Sequence, residues 1–310
     1  DYDTPEAREV GHAAYIYKNK KYIKATSNDE TYLKSRMNEY EFNGVGLVTR
    51  NGHVLAQYAR TNSSEYWEYE TVTMDTQFAI GSVSKQICAT AVLMLQDQGK
   101  LNVTDKLAQY FPEYTIGKDL TLHQLLCMRS GIRCFCNYDS SPVYQEPYPD
   151  WYGVLNGNRE HDVQAVKEWI FSQPLRYTSE DVSQYSYSYS NSNYLLLALV
   201  VEQVSGMSYY DFVKENIFTP LGMTHSCFVH EAEACPDLAD YRNECRYIPE
   251  IACLLGGGDI ASTAADMDKW LTALSDHTPL SAESYRAMTT SYSQTNQYGY
   301  GVIIDNQNAD

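Results

Sequence analysis

Residues 44–60, "GVGLVTRNGHVLAQYAR", form two alternating apolar runs joined by Asn51-Gly52. Asn-Gly readily takes the positive φ angles of a two-residue turn, so the pattern predicts a β-hairpin. Past residue 80 the period changes. "VSKQICATAVLMLQDQ" (83–98) has helical periodicity and stops at Gly99, a natural helix end. "LTLHQLLCMRSG", "VQAVKEWIFSQ", "SNYLLLALVVEQVSG" and "MSYYDFVKENIFTPLG" continue as helices through the middle. "GGGDIASTAADMDKWLTALSD" reads as a glycine turn, a Ser/Thr cap and another helix, and "QYGYGVII" as the start of a strand. Upstream, residues 28–41 read as a helix opened by Asn28 or Asp29, and "AAYIYKNKKYIKA" as a hairpin around Lys18-Asn19. Strand signals flanking a helical middle predict an α+β fold. Residues 1–80 and 250–310 would build an antiparallel sheet flanked by helices, and 81–249 an inserted, mainly helical part.

Charge and composition exclude several function classes. A net charge of −17, from 23 basic and 40 acidic residues, opposes binding to nucleic acid or anionic membrane. The longest apolar run, "YLLLALVV" (194–201), is too short to span a bilayer. Eight cysteines, at 88, 127, 134, 136, 227, 235, 245 and 253, are no disulfide scaffold in a chain of 310 residues. "CFC" (134–136) lacks partner ligands at zinc-site spacing, so one or two local disulfides or buried thiols are expected. No metal or organic cofactor is implied.

Chemistry concentrates in "AIGSVSKQI" (79–87). Ser82 and Lys85 are three apart, on one face if the segment is helical. A serine at a helix start has its own N–H unpaired, able to hold an oxyanion, and the dipole there favours negative charge. A lysine whose pKa is lowered by burial can take the serine proton. The other account of the same residues is a helix cap beside a solvated lysine, and one such tetrad is expected by chance in a chain this rich in serine. A second piece is Tyr189-Ser190-Asn191. A phenol can relay a proton and an amide can orient a substrate carbonyl. Tyr17-x-Asn19 and Tyr241-x-Asn243 match the same pattern, but only Tyr189 precedes a strongly apolar helix.

The ordered segments "FAIGSVSKQ", "GKLNVTDKLAQYFPEY", "LTLHQLLCMRSGI", "YSYSNSNYLLLALVVEQVSG", "IFTPLGMTHSCF", "GGGDIASTAADMDKWL" and "YGYGV" resemble the serine beta-lactamase and penicillin-binding-protein superfamily. The likeness is to its class C beta-lactamase-like branch, with its D,D-carboxypeptidases, D-aminopeptidases and esterases, and spans residues 40–304. It implies a beta-lactamase/transpeptidase-like fold. It implies Ser82 as the acylated nucleophile, Lys85 as its base and Tyr189 as a second proton-transfer group. Asn191 would contact the substrate amide, with Gly257 and Gly258 in the glycine turn among the substrate-binding residues. The implied substrate is a small molecule or peptidoglycan-like, carrying a beta-lactam, an ester or a D-amino-acid amide. The implied setting is extracytoplasmic, although no signal peptide is visible.

The sequence departs from the family in one respect. A third box, Lys-Thr-Gly or His-x-Gly, normally sits on a late sheet strand, and neither tripeptide occurs here. The C-terminal sheet strands that carry it are therefore expected to be missing from this chain. Three explanations stand: a truncated sequence, a second chain or fragment completing the sheet, or a permuted order. In the last, "VGHAAYIYKNKKYIKATSN" (10–28) would bring His12 near Ser82 as a surrogate. A non-catalytic member acting as a binding or structural module is the alternative function. His123 is expected to pack or cap on a helical turn, and Asp266 and Asp268 to be first-turn helix acids. No G-x-S-x-G elbow or H-E-x-x-H pair is present.

Overall fold

The computed structural model describes residues 29–50, 52–61, 71–136, 151, 154–177, 187–230, 234–239, 254–293 and 297–304. The Lys18-Asn19 hairpin therefore lies outside the described residues. Helix α1 (Asp29–Glu39) opens on two acids and carries Arg36 in its last turn, complementing its dipole at both ends. Strands β1 (Gly44–Arg50) and β2 (His53–Arg60) then pair antiparallel, Gly44 opposite Arg60 and Arg50 opposite His53, as the Asn-Gly signal implied. The register slips between Val48 and Thr49. Gly46 lets α1 lie against the hairpin, because a Cβ there would come 2.7 Å from Met37 Sδ.

A second sheet is small and antiparallel. Its strands are β3 (Phe78–Ala79), β4 (Cys227–Phe228) and β5 (Ile260–Ser262), in the order β3-β5-β4. A disulfide from Cys227 to Cys235 sits beside it. This is one local pairing of the kind the sequence allowed. Cys88, Cys127, Cys134 and Cys136 are thiols. Cys245 and Cys253 lie outside the described residues.

The helices follow the sequence pattern closely. They are α2 (Ser84–Asp97), α3 (Leu122–Leu126), α4 (Arg159–Ser172), α5 (Asn191–Ser205) and α6 (Tyr209–Val213). A π-helical turn, Lys214–Phe218, carries α6 on to α7 (Thr219–Leu221). Last come α8 (Ala264–Ser275) and α9 (Ala282–Met288). Helix α2 stops where Gly99 takes φ 67°, with Gly99 N–H on the Gln96 carbonyl and Lys100 N–H on that of Leu95. Those two bonds are a Schellman ending. Thr121 and Gln124 form a reciprocal capping box on α3, and Thr263 caps α8.

Helices α2 and α5 are the centre of the molecule. Residues 84–93 of α2 and 191–198 of α5 are all buried, so both helices are enclosed on every side. One apolar core joins Ile87 and Val92 of α2 and Leu196 of α5 to Trp270 of α8 and Val302. Inside it, Trp270 Nε1 donates to Gln86 Oε1 at 3.1 Å and the Tyr194 hydroxyl to the Leu126 carbonyl at 2.9 Å.

The expected strand in "QYGYGVII" is instead a tight reversal. Tyr298 bridges to Ile303, and Gly299 N–H donates to the Val302 carbonyl at 2.8 Å. Gly301 takes φ 73° and lies on the backbone of Lys85, where a Cβ would sit 2.6 Å from the Lys85 carbonyl oxygen. Only glycine meets both demands without strain.

Leu196 is fully buried between α5 and its neighbours. Leu196→Ala is expected to cost about 2–5 kcal/mol, the range for a core leucine. The measurement is the urea midpoint, which should fall at unchanged slope. A loss below about 1 kcal/mol would show that α5 is not packed as described.

Candidate active site

Strands β3 and β5 are antiparallel, so the end of β3 and the start of β5 share one end of the sheet. Ile80 N–H on the Ile260 carbonyl, 2.9 Å, marks that end. Beyond β3, Gly81–Val83 form a single 3-10 turn that feeds α2, and Ser82 is exposed on it. Before β5 stand Gly256, Gly257 and Gly258. The sheet thus brings together residues some 175 positions apart in the chain, an order of separation that local pattern does not encode.

Lys85 is 1% exposed. Its Nζ donates to Ser82 Oγ at 3.0 Å and to the Gly257 carbonyl at 2.5 Å. From the other side the Tyr189 hydroxyl donates to the same Ser82 Oγ at 2.7 Å. The serine hydroxyl is therefore held between an amine and a phenol. Burial pushes the Lys85 ammonium down to about 8, against the opposing pull of Cys136, Cys134, Cys88 and Asp259. The Tyr189 and Tyr194 rings, 5.0 and 5.7 Å from Nζ, favour the charged form and limit the shift. A lysine at that value is neutral in roughly a tenth of molecules at pH 7. Burial pushes Tyr189 up to about 12, with the Ser82 hydrogen bond opposing, so its proton stays on at neutral pH.

Tyr189 is aimed from outside its own helix. Ser188 N–H donates to the Met128 carbonyl at 2.9 Å, and Arg176 Nη1 to Ser188 Oγ at 2.8 Å. Met128 takes φ 60°, which is uncommon for a non-glycine residue. Ser190 is extended at φ −150°, and Asn191 begins α5. Asn191 is 8% exposed. Its backbone N–H donates to Cys134 Sγ at 3.2 Å and its Nδ2 to Cys136 Sγ at 3.0 Å. Tyr17-x-Asn19 and Tyr241-x-Asn243 lie outside the described residues, as does His12.

Gly257 and Gly258 differ from a pair of substrate-facing donors. Both N–H groups go to the Leu254 carbonyl, at 2.6 and 2.9 Å, and what Gly257 offers the cluster is its carbonyl. Gly256 allows the close approach, since a Cβ there would meet Ala198 Cβ, Cys88 Sγ and the Tyr194 carbonyl at 2.9 Å. Asp259 was not singled out by its pattern. It is fully buried, accepts from Gly256 N–H at 3.2 Å, and is pushed up to about 7 by burial. Its place at the end of the glycine run was the one available signal. Cys134 and Cys136 are thiols, one of the expected states, and their contact with Asn191 needed the fold.

Other singled-out residues have structural roles. His123 Nδ1 is 2.6 Å from the Tyr300 hydroxyl, edge-on to the Tyr292 ring, and burial lowers its pKa. Asp266 is in the first turn of α8, as expected, and is also buried. It accepts from His225 N–H at 2.7 Å, Ser226 Oγ at 3.0 Å and Lys269 Nζ at 2.7 Å. Asp268 accepts from Thr49 Oγ1, joining α8 to the hairpin. A cavity of about 450 Å³ beside α4 and α5 is lined by Arg159, Lys167, Glu202 and Met207. Its Ser208 caps α6 and donates to Asp211 Oδ2 at 2.7 Å. Among the described residues no group of three His, Cys, Asp or Glu side chains could hold a metal, and no helix is long and apolar enough to cross a membrane.

Comparison with known proteins finds relatives over most of the chain. The chain is 29% identical over 305 residues to the putative penicillin-binding protein PbpX of Bacillus subtilis (strain 168), covering 93% of this chain and 68% of that protein. It is 26% identical over 302 residues to the teichoic acid D-alanine hydrolase of Staphylococcus aureus (strain MRSA252), covering 93% and 67%. Its fold is similar to the crystal structure of FmtA from Staphylococcus aureus, with a TM-score of 0.71 at 20% identity, over 94% of this chain and 79% of that one. The α+β, beta-lactamase-like fold expected from the sequence is thereby borne out. The profile of the family described as Beta-lactamase matches residues 30–307, nearly the whole chain, and on that extent of match the chain belongs to the Beta-lactamase family.

Proposed function

We propose that this protein is a serine hydrolase that works through an acyl-enzyme on a beta-lactam, a D-amino-acid peptide or an ester. The observation that carries it is Ser82 Oγ held 3.0 Å from Lys85 Nζ and 2.7 Å from the Tyr189 hydroxyl. Neutral Lys85 takes the proton as Ser82 Oγ attacks the substrate carbonyl carbon. The Gly257 carbonyl accepts one amine hydrogen and so leaves the lone pair toward Ser82. The Ser82 N–H, at the start of the helical turn, supports the oxyanion. Tyr189, still protonated, delivers its proton to the leaving group. Water then releases the acyl group by the reverse relay. Asn191 orients the substrate amide.

The relatives support this kind of acyl group. One of them is named for hydrolysing D-alanine from teichoic acid, a polymer of the cell envelope. Carboxypeptidase and esterase activities, and an extracytoplasmic setting, belong to the same proposal. The alternative function is a non-catalytic binding or structural module.

The test is intact mass after incubation with a fluorophosphonate or a reactive penicillin. An adduct is expected on the wild type and none on Ser82→Ala. A folded protein that never takes an adduct would favour the binding module. The labelling rate should climb as pH rises through about 8, because Lys85 is a base only when neutral. A rate flat from pH 6 to 9 would remove Lys85 from the mechanism. Gly301→Ala should slow labelling by about tenfold or more, since its Cβ would displace the Lys85 backbone. Circular dichroism would confirm that this variant stays folded.

A further inference from the structure

Cys134 and Cys136 stand with their sulfurs 3.7 Å apart, in van der Waals contact. The chain bends at Phe135 and Cys136. Phe135 is buried and anchors the bend. Its N–H donates to Ser192 Oγ at 3.1 Å, and its carbonyl accepts from Trp151 Nε1 at 3.0 Å. Asn191 donates to both sulfurs, through Nδ2 to Cys136 at 3.0 Å and to Cys134 at 3.6 Å. No third ligand of the His, Cys, Asp or Glu type joins them among the described residues. The chain does form a disulfide elsewhere, from Cys227 to Cys235, as proteins in oxidising surroundings do.

We propose that Cys134 and Cys136 are an oxidisable dithiol in the wall of the Ser82 cleft, closed to a disulfide by a low-molecular-weight disulfide, and that closure weakens the hold of these sulfurs on the Asn191 amide. Cys136 is the partly exposed sulfur and reacts first. Its thiolate attacks the small disulfide RSSR, whose S–S bond breaks and releases one RS⁻. The Cys134 thiolate then attacks the Cys136 sulfur of the mixed disulfide and releases the second RS⁻. Two protein thiols become one disulfide, and RSSR becomes two RSH with the two protons and two electrons. Closure brings the sulfurs from 3.7 Å to about 2.05 Å. The hydrogen bond with Cys134 and burial push the Cys136 thiol up, so the exchange is slow and the test runs over hours. A disulfide sulfur accepts hydrogen bonds less well than a thiol or thiolate, so these two bonds to the Asn191 amide weaken.

The test uses the full chain, reduced and then incubated with oxidised glutathione. Peptide mapping by mass should find a bond joining Cys134 and Cys136, with the loss of two hydrogens, reversed by dithiothreitol and absent in Cys136→Ser. The Asn191 side-chain amide resonances should shift on oxidation. Fluorophosphonate labelling of Ser82 should slow about tenfold, and in Cys136→Ser should not respond to the oxidant. Persistent thiols, a stable glutathione adduct, or pairing with another cysteine would overturn the dithiol. A bond that leaves the Asn191 resonances unmoved would overturn its link to the cleft. The effect on labelling rests on the proposed hydrolase, whereas the bond and the amide shift do not. A protein that is never labelled yet forms the bond thus fails only the hydrolase.

Discussion

Lys85 is almost wholly removed from water, and a charged amine in that position needs acceptors within reach. Among the described residues it has two, the Ser82 hydroxyl and the Gly257 carbonyl. Supplying them requires α2 to begin beside the glycine turn, and Gly256 and Gly301 to press bare backbone against the central helices. The drop from 10.5 to about 8 corresponds to about 3 kcal/mol of penalty on the charged form. The folded pKa lies below the unfolded one, so that penalty is present in full below about pH 8. It is relieved as pH rises toward the unfolded value. The protein thus carries a local destabilisation whose chemical consequence is a lysine that can be a base near neutral pH.

The three-stranded sheet is the frame for this arrangement. Its strands are only two or three residues long, yet they bring the end of β3 and the start of β5 to one edge. Asp266 ties α8 to the turn before β4 through two donors, and the Cys227–Cys235 bond closes the far side. Tyr189 comes from a different source, the extended segment before α5, fixed by Met128 and Arg176. Ser82 is held by Lys85 and Tyr189, and Lys85 in turn by the Gly257 carbonyl, so the cluster ties three separate parts of the chain and has few ways to drift.

Local signals were legible because their causes are local. Asn51-Gly52 marked the hairpin, Gly99 ended α2, and Thr263 capped α8, each by backbone demands that lie within a few residues. "QYGYGVII" was misread as a strand because its alternation is real, while the positive φ at Gly301 answers to the Lys85 backbone, far away in sequence. Asp266 was legible as a first-turn acid but not as a buried bridge to His225 and Ser226. The cysteines of "CFC" gave no hint of Asn191, since nothing in their spacing names a partner 55 residues on.

By itself the sequence determined the helices, the hairpin, the placing of Ser82 and Lys85 on one helical face, and the order of segments that marks the family. These depend on period, caps and turn residues, which are short-range properties. The tertiary structure decided that Lys85 is buried, that Tyr189 meets Ser82, that Gly257 offers a carbonyl and not an N–H, and that two thiols face Asn191. Desolvation and hydrogen bonding between distant segments set those outcomes, and both exist only once the core around α2 and α5 has closed.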